Sequence, residues 1–598
     1  MKILKQLFYL LTVQERKKGL VLIVLITIMA VLDMIGIASI MPFMAVLTNP
    51  DLIDNNTILN AVFEASNIFG VKTILQFQFF LGILVFILLI FSITFKAFTI
   101  YRQTYFSEEI DYNIGKRLVE GYLHQPYSWF LNRNTADLGK SILSEVTTVK
   151  SNGFKPLIEI IGKGLVSIVI LILLISINPK LAFIVGFTLI FSYLIIFLFI
   201  RNFIKRIGLD RFNANTLRFK IVSEAFGAIK EIKIGGLERI YTERFSKPAK
   251  VVVDRSAALS LSGQLPRLAL EAIAFGGLLL TVLYLMVKSG NFNNAVPVIV
   301  LYAFAGYRLV PALQSIYSSI AQMRFVTPSL DSLCNDMDNL NVTNLNNNNK
   351  DDLVFKKSIT LNQIHYRYPN APKMVLKNIN LSISARSTVA FVGATGSGKT
   401  TAVDIILGLH EMQQGNLKVD GKIIDKHNLR TWQSSIGYVP QQIYLADDTV
   451  SANIAFGKNS KDIDQEAVES ASKIAELHEF VVNDLPLKYQ TKVGERGVRL
   501  SGGQRQRIGI ARALYHNPKL LIMDEATNAL DSLTEEAVMK ALNNLSKDIT
   551  IILIAHRLST VKECDNIFFL EKGELKAQGN FSELIKNNKS FSLMTKNR

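Results

Sequence analysis

Gly393-Ala394-Thr395-Gly396-Ser397-Gly398-Lys399-Thr400, with Thr401 next in line, joins the apolar run Thr388–Val392 to a stretch of helical pattern. That spacing makes a phosphate cradle. The glycines let backbone N–H groups approach an anion and the helix start adds its dipole, while Lys399 reaches the β- and γ-oxygens and Thr400 ligates Mg²⁺. The expected ligand is ATP. Downstream, Leu520-Leu521-Ile522-Met523-Asp524-Glu525 reads as a buried strand ending in two carboxylates. Alone it would pass for a core strand running into a turn. Beside a phosphate cradle, Asp524 is expected to hold Mg²⁺ and Glu525 to polarise a water as general base. Ser501, Gly502, Gly503 and Gln504 offer a hydroxyl and free amides near a second helix start, suited to a γ-phosphate.

These residues occupy only part of the chain. Its 598 residues are too many for one core. The composition is 49% hydrophobic and 19% charged, below the roughly 25% charge of soluble proteins, which argues against both a wholly soluble enzyme and a disordered chain. Six apolar runs are long enough to cross a membrane, near Leu20–Leu47, Leu75–Ile100, Ile160–Ile177, Leu181–Ile200, Leu268–Met286 and Val296–Ile320. The net charge of +17 suggests nucleic acid until it is located. Lys and Arg concentrate before the first run and between the fourth and fifth, as in cytoplasmic loops, so both termini are expected inside and no nucleic acid is needed. Cys334 and Cys564 fit neither a disulfide framework nor a zinc spacing.

The expected organisation is a transmembrane domain at 1–325, a linker at 326–357 and an α/β domain at 358–598. The linker rests on the polar, Asn-rich stretch 341–349. Two long polar connections, about 102–156 and 201–264, read as helices continuing into the cytoplasm, with short transverse helices at their tips near 124–134 and 223–236. In the first outer loop, Ile58, Leu59, Val62, Phe63 and Phe69 make one apolar helix face. Contact with lipid and packing on the protein itself explain that face equally well.

Leu500-Ser501-Gly502-Gly503-Gln504 ahead of the acidic strand makes the second half resemble the ATP-binding-cassette family. The resemblance implies a helical membrane domain of exporter type followed by an α/β P-loop nucleotide-binding domain. It also implies roles: Gln441 as the glutamine that senses the metal and nucleotide, Asn528–Asp531 as the loop facing the partner, and His556 as the switch histidine. Tyr368, 25 residues before Gly393, resembles the aromatic that stacks on adenine. In this family the signature of one subunit closes the nucleotide site of another. One P-loop, one signature and six spans therefore imply a half-transporter that works as a homodimer. The segment 491–497, Thr-Lys-Val-Gly-Glu-Arg-Gly, resembles one found in the exporters of the family.

Ionisable residues inside spans are costly and point to cargo. They are Asp33, Lys96, Arg267 with Glu271 one turn on, and Arg308. Three cations on spans 2, 5 and 6 suit a phosphate or pyrophosphate headgroup. Structural ion pairs, such as Arg267 with Glu271, are the alternative. The run Ile40-Met41-Pro42-Phe43, the outer helix, Pro266-Arg267 and Tyr307-Arg308-Leu309 resemble the bacterial flippases of polyprenyl-linked oligosaccharides in protein N-glycosylation. That likeness implies ATP-driven flipping of a polyprenyl-pyrophosphate oligosaccharide across the inner membrane, with Lys96, Arg267 and Arg308 on the pyrophosphate and membrane lipid around the outer helix. Export of another amphipathic lipid of lipid A type, or of drugs or peptides, is the alternative expectation.

Overall fold

The computed structural model describes residues 2–50, 53, 56–177, 179–289, 292–340, 355–369, 371–526, 530–545, 548–555 and 558–596. The chain divides into two compact units, 1–125 with 133–342, and 126–132 with 343–598.

Among the described residues, six long helices build the first unit: α1 (Val13–Ala38), α2 (Ile74–Leu123), α3 (Lys155–Ile177), α4 (Pro179–Gly227), α5 (Glu238–Ser289) and α6 (Phe292–Phe325). Thr12 and Thr73 start α1 and α2 with capping boxes closed by Glu15 and Gln76. Among the described residues, four helices are long and apolar enough to cross a membrane: Val13–Thr48, Ile74–Leu123, Thr135–Ile177 and Gly186–Gly227. The expected fifth and sixth spans fall on α5 and α6, where most side chains between 269 and 299 lie outside the described residues. At 50 residues α2 is about 75 Å long, more than twice the hydrocarbon thickness, so it runs well beyond any bilayer. Only 11% of its most apolar window is buried, which leaves that face to lipid or to another protein.

Short helices stand at the far ends of these extensions, at Tyr127–Phe130 and Ile229–Gly235. The first belongs to the tip segment 126–132, which groups with the second unit. The segment 326–357 begins as a helix, Thr327–Asn339, with Leu330 and Leu333 fully buried, while its Asn-rich part lies outside the described residues. The outer-loop helix forms at Thr57–Ser66. Its Leu59, Val62 and Phe63 pack against Val46, Phe77 and Leu81, so much of the apolar face is spent on the protein itself. Ile68 and Phe69 beyond it remain 86% and 74% exposed.

The extensions are pinned by a buried polar cluster. Glu145 is fully buried and accepts hydrogen bonds from Arg211, Asn215 and Ser329, at 3.0 Å from the guanidinium and 2.8 Å from the amide. Arg211 also donates to Thr148 at 2.8 Å. Glu145 closes one of two π-helical turns, Ser141–Glu145 and Lys150–Phe154, a widening that commonly marks functional segments.

Among the described residues of the second unit, ten strands form two sheets: β1 (Ser358–Tyr366), β2 (Leu376–Ser384), β3 (Thr388–Val392), β4 (Gln414–Val419), β5 (Lys422–Ile423), β6 (Ile436–Val439), β7 (Leu520–Asp524), β8 (Thr550–Ile554), β9 (Asn566–Glu571) and β10 (Glu574–Gly579). The antiparallel sheet runs β2-β1-β4-β5 and the larger one β10-β9-β3-β8-β7-β6. In the larger sheet β9, β3, β8, β7 and β6 are parallel and β10 is an antiparallel edge. Every residue of β3, β7 and β8 is buried, which explains why these strands read as unbroken apolar runs rather than alternating ones.

Removing the Glu145 carboxylate leaves Arg211 buried without its counter-ion. Glu145→Ala is expected to cost about 3–5 kcal/mol and Glu145→Gln less, read as a drop in thermal midpoint of the protein in nanodiscs.

Candidate functional site

Parallel strands deliver their carboxyl ends to one edge of the sheet, and the chemistry-bearing residues collect there. The P-loop leaves β3 and leads into the helix Lys399–Ile406. Ala394, Thr395 and Gly396 are exposed at its tip, while Ser397, Gly398 and Lys399 are buried at its base. Two of its glycines are dictated by space. A Cβ on Gly393 would lie 2.2 Å from the Leu570 carbonyl oxygen. One on Gly398, whose φ is +100°, would lie 2.7 Å from Leu376. The helix is held from behind by fully buried Trp432, whose indole N–H donates to the Ile406 carbonyl at 2.7 Å.

The cradle fits a triphosphate. Lys399 Nζ turns back onto the carbonyls of Gly393 and Ala394, 3.1 Å from each. The Ser397 hydroxyl is buried with no hydrogen-bond partner, an orphan that a phosphate oxygen would satisfy. Thr400 is exposed at the first turn of the helix and Thr401 is buried. Thr401 Oγ1 meets Tyr368 Oη at 3.0 Å, which ties the aromatic to the P-loop helix. Tyr368 is further fixed edge-on against Tyr366 and His410.

Asp524 ends β7, and burial, with Glu525 and Asp404 nearby, pushes its carboxyl up to about 6 against the opposing pull of Lys399. A metal ion there removes that cost, so the donor set suits Mg²⁺. Glu525 follows in a left-handed conformation, φ +49°, uncommon outside glycine and costing on the order of 1 kcal/mol. Its carboxylate accepts from Gln441 Nε2 at 2.9 Å. Sequence spacing of 84 residues between these two is closed by the β6–β7 pairing, which registers Val439 against Met523.

Ser501 caps the helix Gly502–Leu514, accepting from Gln504 N–H at 3.2 Å, while the Gln504 side chain returns a bond to Ser501 N–H at 2.8 Å. The signature is thus also a capping box. Gly502 and Gly503 form the helix's first turn, within that box. Asp531 is exposed and accepts from Thr534 N–H and Oγ1 at the start of the helix Ser532–Leu545. His556 and Asn528 lie outside the described residues.

In the membrane unit the structure brings together Asp33, Lys96 and Arg308. Both cations stand 3.5 Å from Asp33 Oδ2. Arg267 instead donates to Glu271 on its own helix at 2.6 Å. Three side chains on neighbouring helices extend the polar set: Glu159 on α3 accepts from Ser315 and Ser319 on α6. Lys163, one turn on from Glu159, shares the electrostatic surroundings of Lys96, Arg308 and Asp33. The sequence reading passed over Glu159 and Lys163, although an ionisable pair at the start of the third apolar run is the same signal that singled out Asp33.

The chain matches the family model of the ABC transporter transmembrane region over residues 18–305 and the family model of the ABC transporter over residues 376–528. It is 30% identical to the ATP-dependent lipid A-core flippase of Cupriavidus pinatubonensis, over 78% of this chain and 79% of that one. It is 28% identical to a multidrug resistance ABC transporter ATP-binding and permease protein of Lactococcus lactis subsp. lactis, over 80% of each. Its fold is that of a bacterial Atm1-family ABC exporter with ATP bound, with a TM-score of 0.78 at 22% identity, covering 97% of this chain and 98% of that one.

Because Asp524 carries a raised pKa, ionising it opposes folding by an amount that grows as the pH rises from the unfolded value to the folded one. The cost is absent below about pH 4 and complete above pH 6, amounting to about 3 kcal/mol. Asp524→Asn is expected to raise the metal-free thermal midpoint at neutral pH, to change little at pH 4, and to lose the further rise that Mg·ATP gives the wild type. With its membrane region and its P-loop domain in one chain, the protein belongs to the ABC transporters, as an ATP-hydrolysing half-transporter of the exporter type.

Proposed function

We propose that this half-transporter uses ATP to move an amphipathic lipid with an anionic headgroup from the inner to the outer leaflet of the inner membrane. It works as a homodimer with both termini in the cytoplasm. The observation that carries the cargo class is the convergence of Lys96 and Arg308, both still 27% exposed, around the Asp33 carboxylate on helices of the expected spans, where a purely hydrophobic drug would require no charge. Of the two cargo expectations, another amphipathic lipid is favoured over a polyprenyl-pyrophosphate oligosaccharide. Lipid A-core flippases align with the chain over most of its length, and Arg267, one of the three cations expected on a pyrophosphate, has a partner in Glu271.

In the nucleotide half, Tyr368 stacks on adenine, and Gly393–Thr401 with Lys399 hold the phosphates. Thr400, Asp524 and Gln441 would hold Mg²⁺, which when bound would supply positive charge to the phosphates. Glu525, oriented by the Gln441 amide, takes the proton of the attacking water, and His556 completes the site. Ser501–Gln504 of the second copy presents its helix N-terminus to the γ-phosphate, and Asp531 lies at the same junction. Two copies therefore make two composite sites. The one-signature, one-P-loop chain and the basic loops support the dimer and the orientation.

Glu525→Gln is expected to bind ATP normally and to hydrolyse it at least about 100-fold more slowly. In proteoliposomes, wild type but not this variant should flip a fluorescent lipid A-type glycolipid on adding ATP. Flipping of a polyprenyl-pyrophosphate oligosaccharide in its place would reverse the order of the two cargoes, and robust ATPase activity with neither lipid moved would discard both.

A further inference from the structure

Asp33 has no role in the ATPase chemistry or in a purely basic headgroup seat. Its carboxyl group is buried in α1 at 4% exposure. Ser92 on α2 donates to Oδ1 at 3.1 Å, while Lys96 Nζ and Arg308 NH1 both stand 3.5 Å from Oδ2. One carboxylate thus joins cations from two other helices.

Two features distinguish this cluster from a closed ion pair. Charge-assisted hydrogen bonds normally close to about 2.7–2.9 Å, so at 3.5 Å neither cation is locked onto Asp33. The Asp33 side chain is 3% exposed whereas both cations keep 27%, so each retains an open side after pairing. Two cations against one carboxylate leave one positive charge over. In a low-dielectric setting that surplus favours one anionic group on the open sides, with the Arg308 fork as a directional donor and Lys96 as a point charge. Glu159 and Lys163 nearby carry one formal charge of each sign.

We infer that Asp33 is a resident counter-ion that sets the headgroup charge this site accepts. With Asp33 in place the cluster matches a singly charged phosphate group, such as a phosphodiester or a singly ionised phosphomonoester. Such a group occupies the open sides of Lys96 and Arg308 while Asp33 holds the two cations in register across α2 and α6. Without Asp33 the same two cations match a doubly charged phosphate. This specificity role rests on the anionic-lipid reading proposed above and deepens it.

The test measures ATPase activity in phosphatidylcholine nanodiscs titrated at alkaline pH with phosphatidylglycerol, which bears one phosphodiester charge, or phosphatidic acid, whose phosphomonoester bears two. Wild type is expected to respond at a lower mole fraction of phosphatidylglycerol. Asp33→Asn should invert the order, with the half-saturating mole fraction of phosphatidic acid falling on the order of tenfold. Asp33→Glu, which keeps the charge, should retain the wild-type order. Should Asp33→Asn not fold, Lys96→Gln carries the test, since a cluster without surplus charge should lose its preference for phosphatidylglycerol over phosphatidylcholine. A wild type that responds to the anionic lipids, with Asp33→Asn keeping its order or Lys96→Gln keeping its preference, overturns the role of Asp33 alone. A wild type indifferent to both lipids despite ATPase activity overturns the anionic cargo as well.

Discussion

A polar group in hydrocarbon must find its partner within the protein, and this constraint shapes the membrane half at every scale. For backbone groups the answer is the unbroken helix, which is why α2, α4 and α5 run for about fifty residues each before the chain turns. The same length carries the short tip helices far outside the apolar zone. For side chains the answer is clustering. Asp33 draws in Ser92, Lys96 and Arg308, and Glu159 draws in two serines of α6. Outside the apolar zone, buried Glu145 obeys the same rule with Arg211, Asn215 and Ser329. Polar pairing therefore decides which helices are neighbours where apolar contact is indifferent to partner.

The nucleotide-binding half follows a different logic, in which a sheet buried on both faces fixes positions at its carboxyl edge. β3 and β7 flank β8, so the phosphate cradle and the acidic pair leave the sheet on the same side. Three costs meet at that edge. Asp524 is buried, Glu525 is held at positive φ and the Ser397 hydroxyl has no partner. Each cost is one that a bound metal or phosphate relieves, or that aims a carboxylate where a water has to be activated. Behind that edge the unit has an aliphatic interior, and Asn580 starts its penultimate helix with a capping box.

The outer-loop helix separates pattern from meaning. Its apolar face was legible as a stripe, yet a stripe describes both a lipid contact and a protein contact. Packing of Leu59, Val62 and Phe63 on Phe77 and Leu81 settles most of it as internal, and leaves an apolar cavity of about 480 Å³ between the helix and Phe80 and Leu84. The Arg267–Glu271 pair was legible for the opposite reason, since residues four apart on a helix meet whatever else the fold does.

Local chemistry was determined by sequence alone: the P-loop, the acidic strand end, the capping Ser501–Gln504 box and the long apolar helices all depend on residues within a few turns of each other. Glycine spacing, strand burial and helix caps are short-range properties, and short-range properties are written consecutively. Tertiary structure alone decided the pairings between distant segments. Gln441 reaches Glu525 only because β6 lies beside β7, and Tyr368 reaches Thr401 only because the antiparallel sheet folds back on the P-loop helix. Lys96 and Arg308, whose sequence fits a headgroup lining as well as structural ion pairs, share a carboxylate because helix rotation turns them both toward Asp33. A one-dimensional pattern gives the spacing of charges along each helix but not the angle at which it faces its neighbour, and in the membrane that angle decides whether a charge is a ligand or a counter-ion.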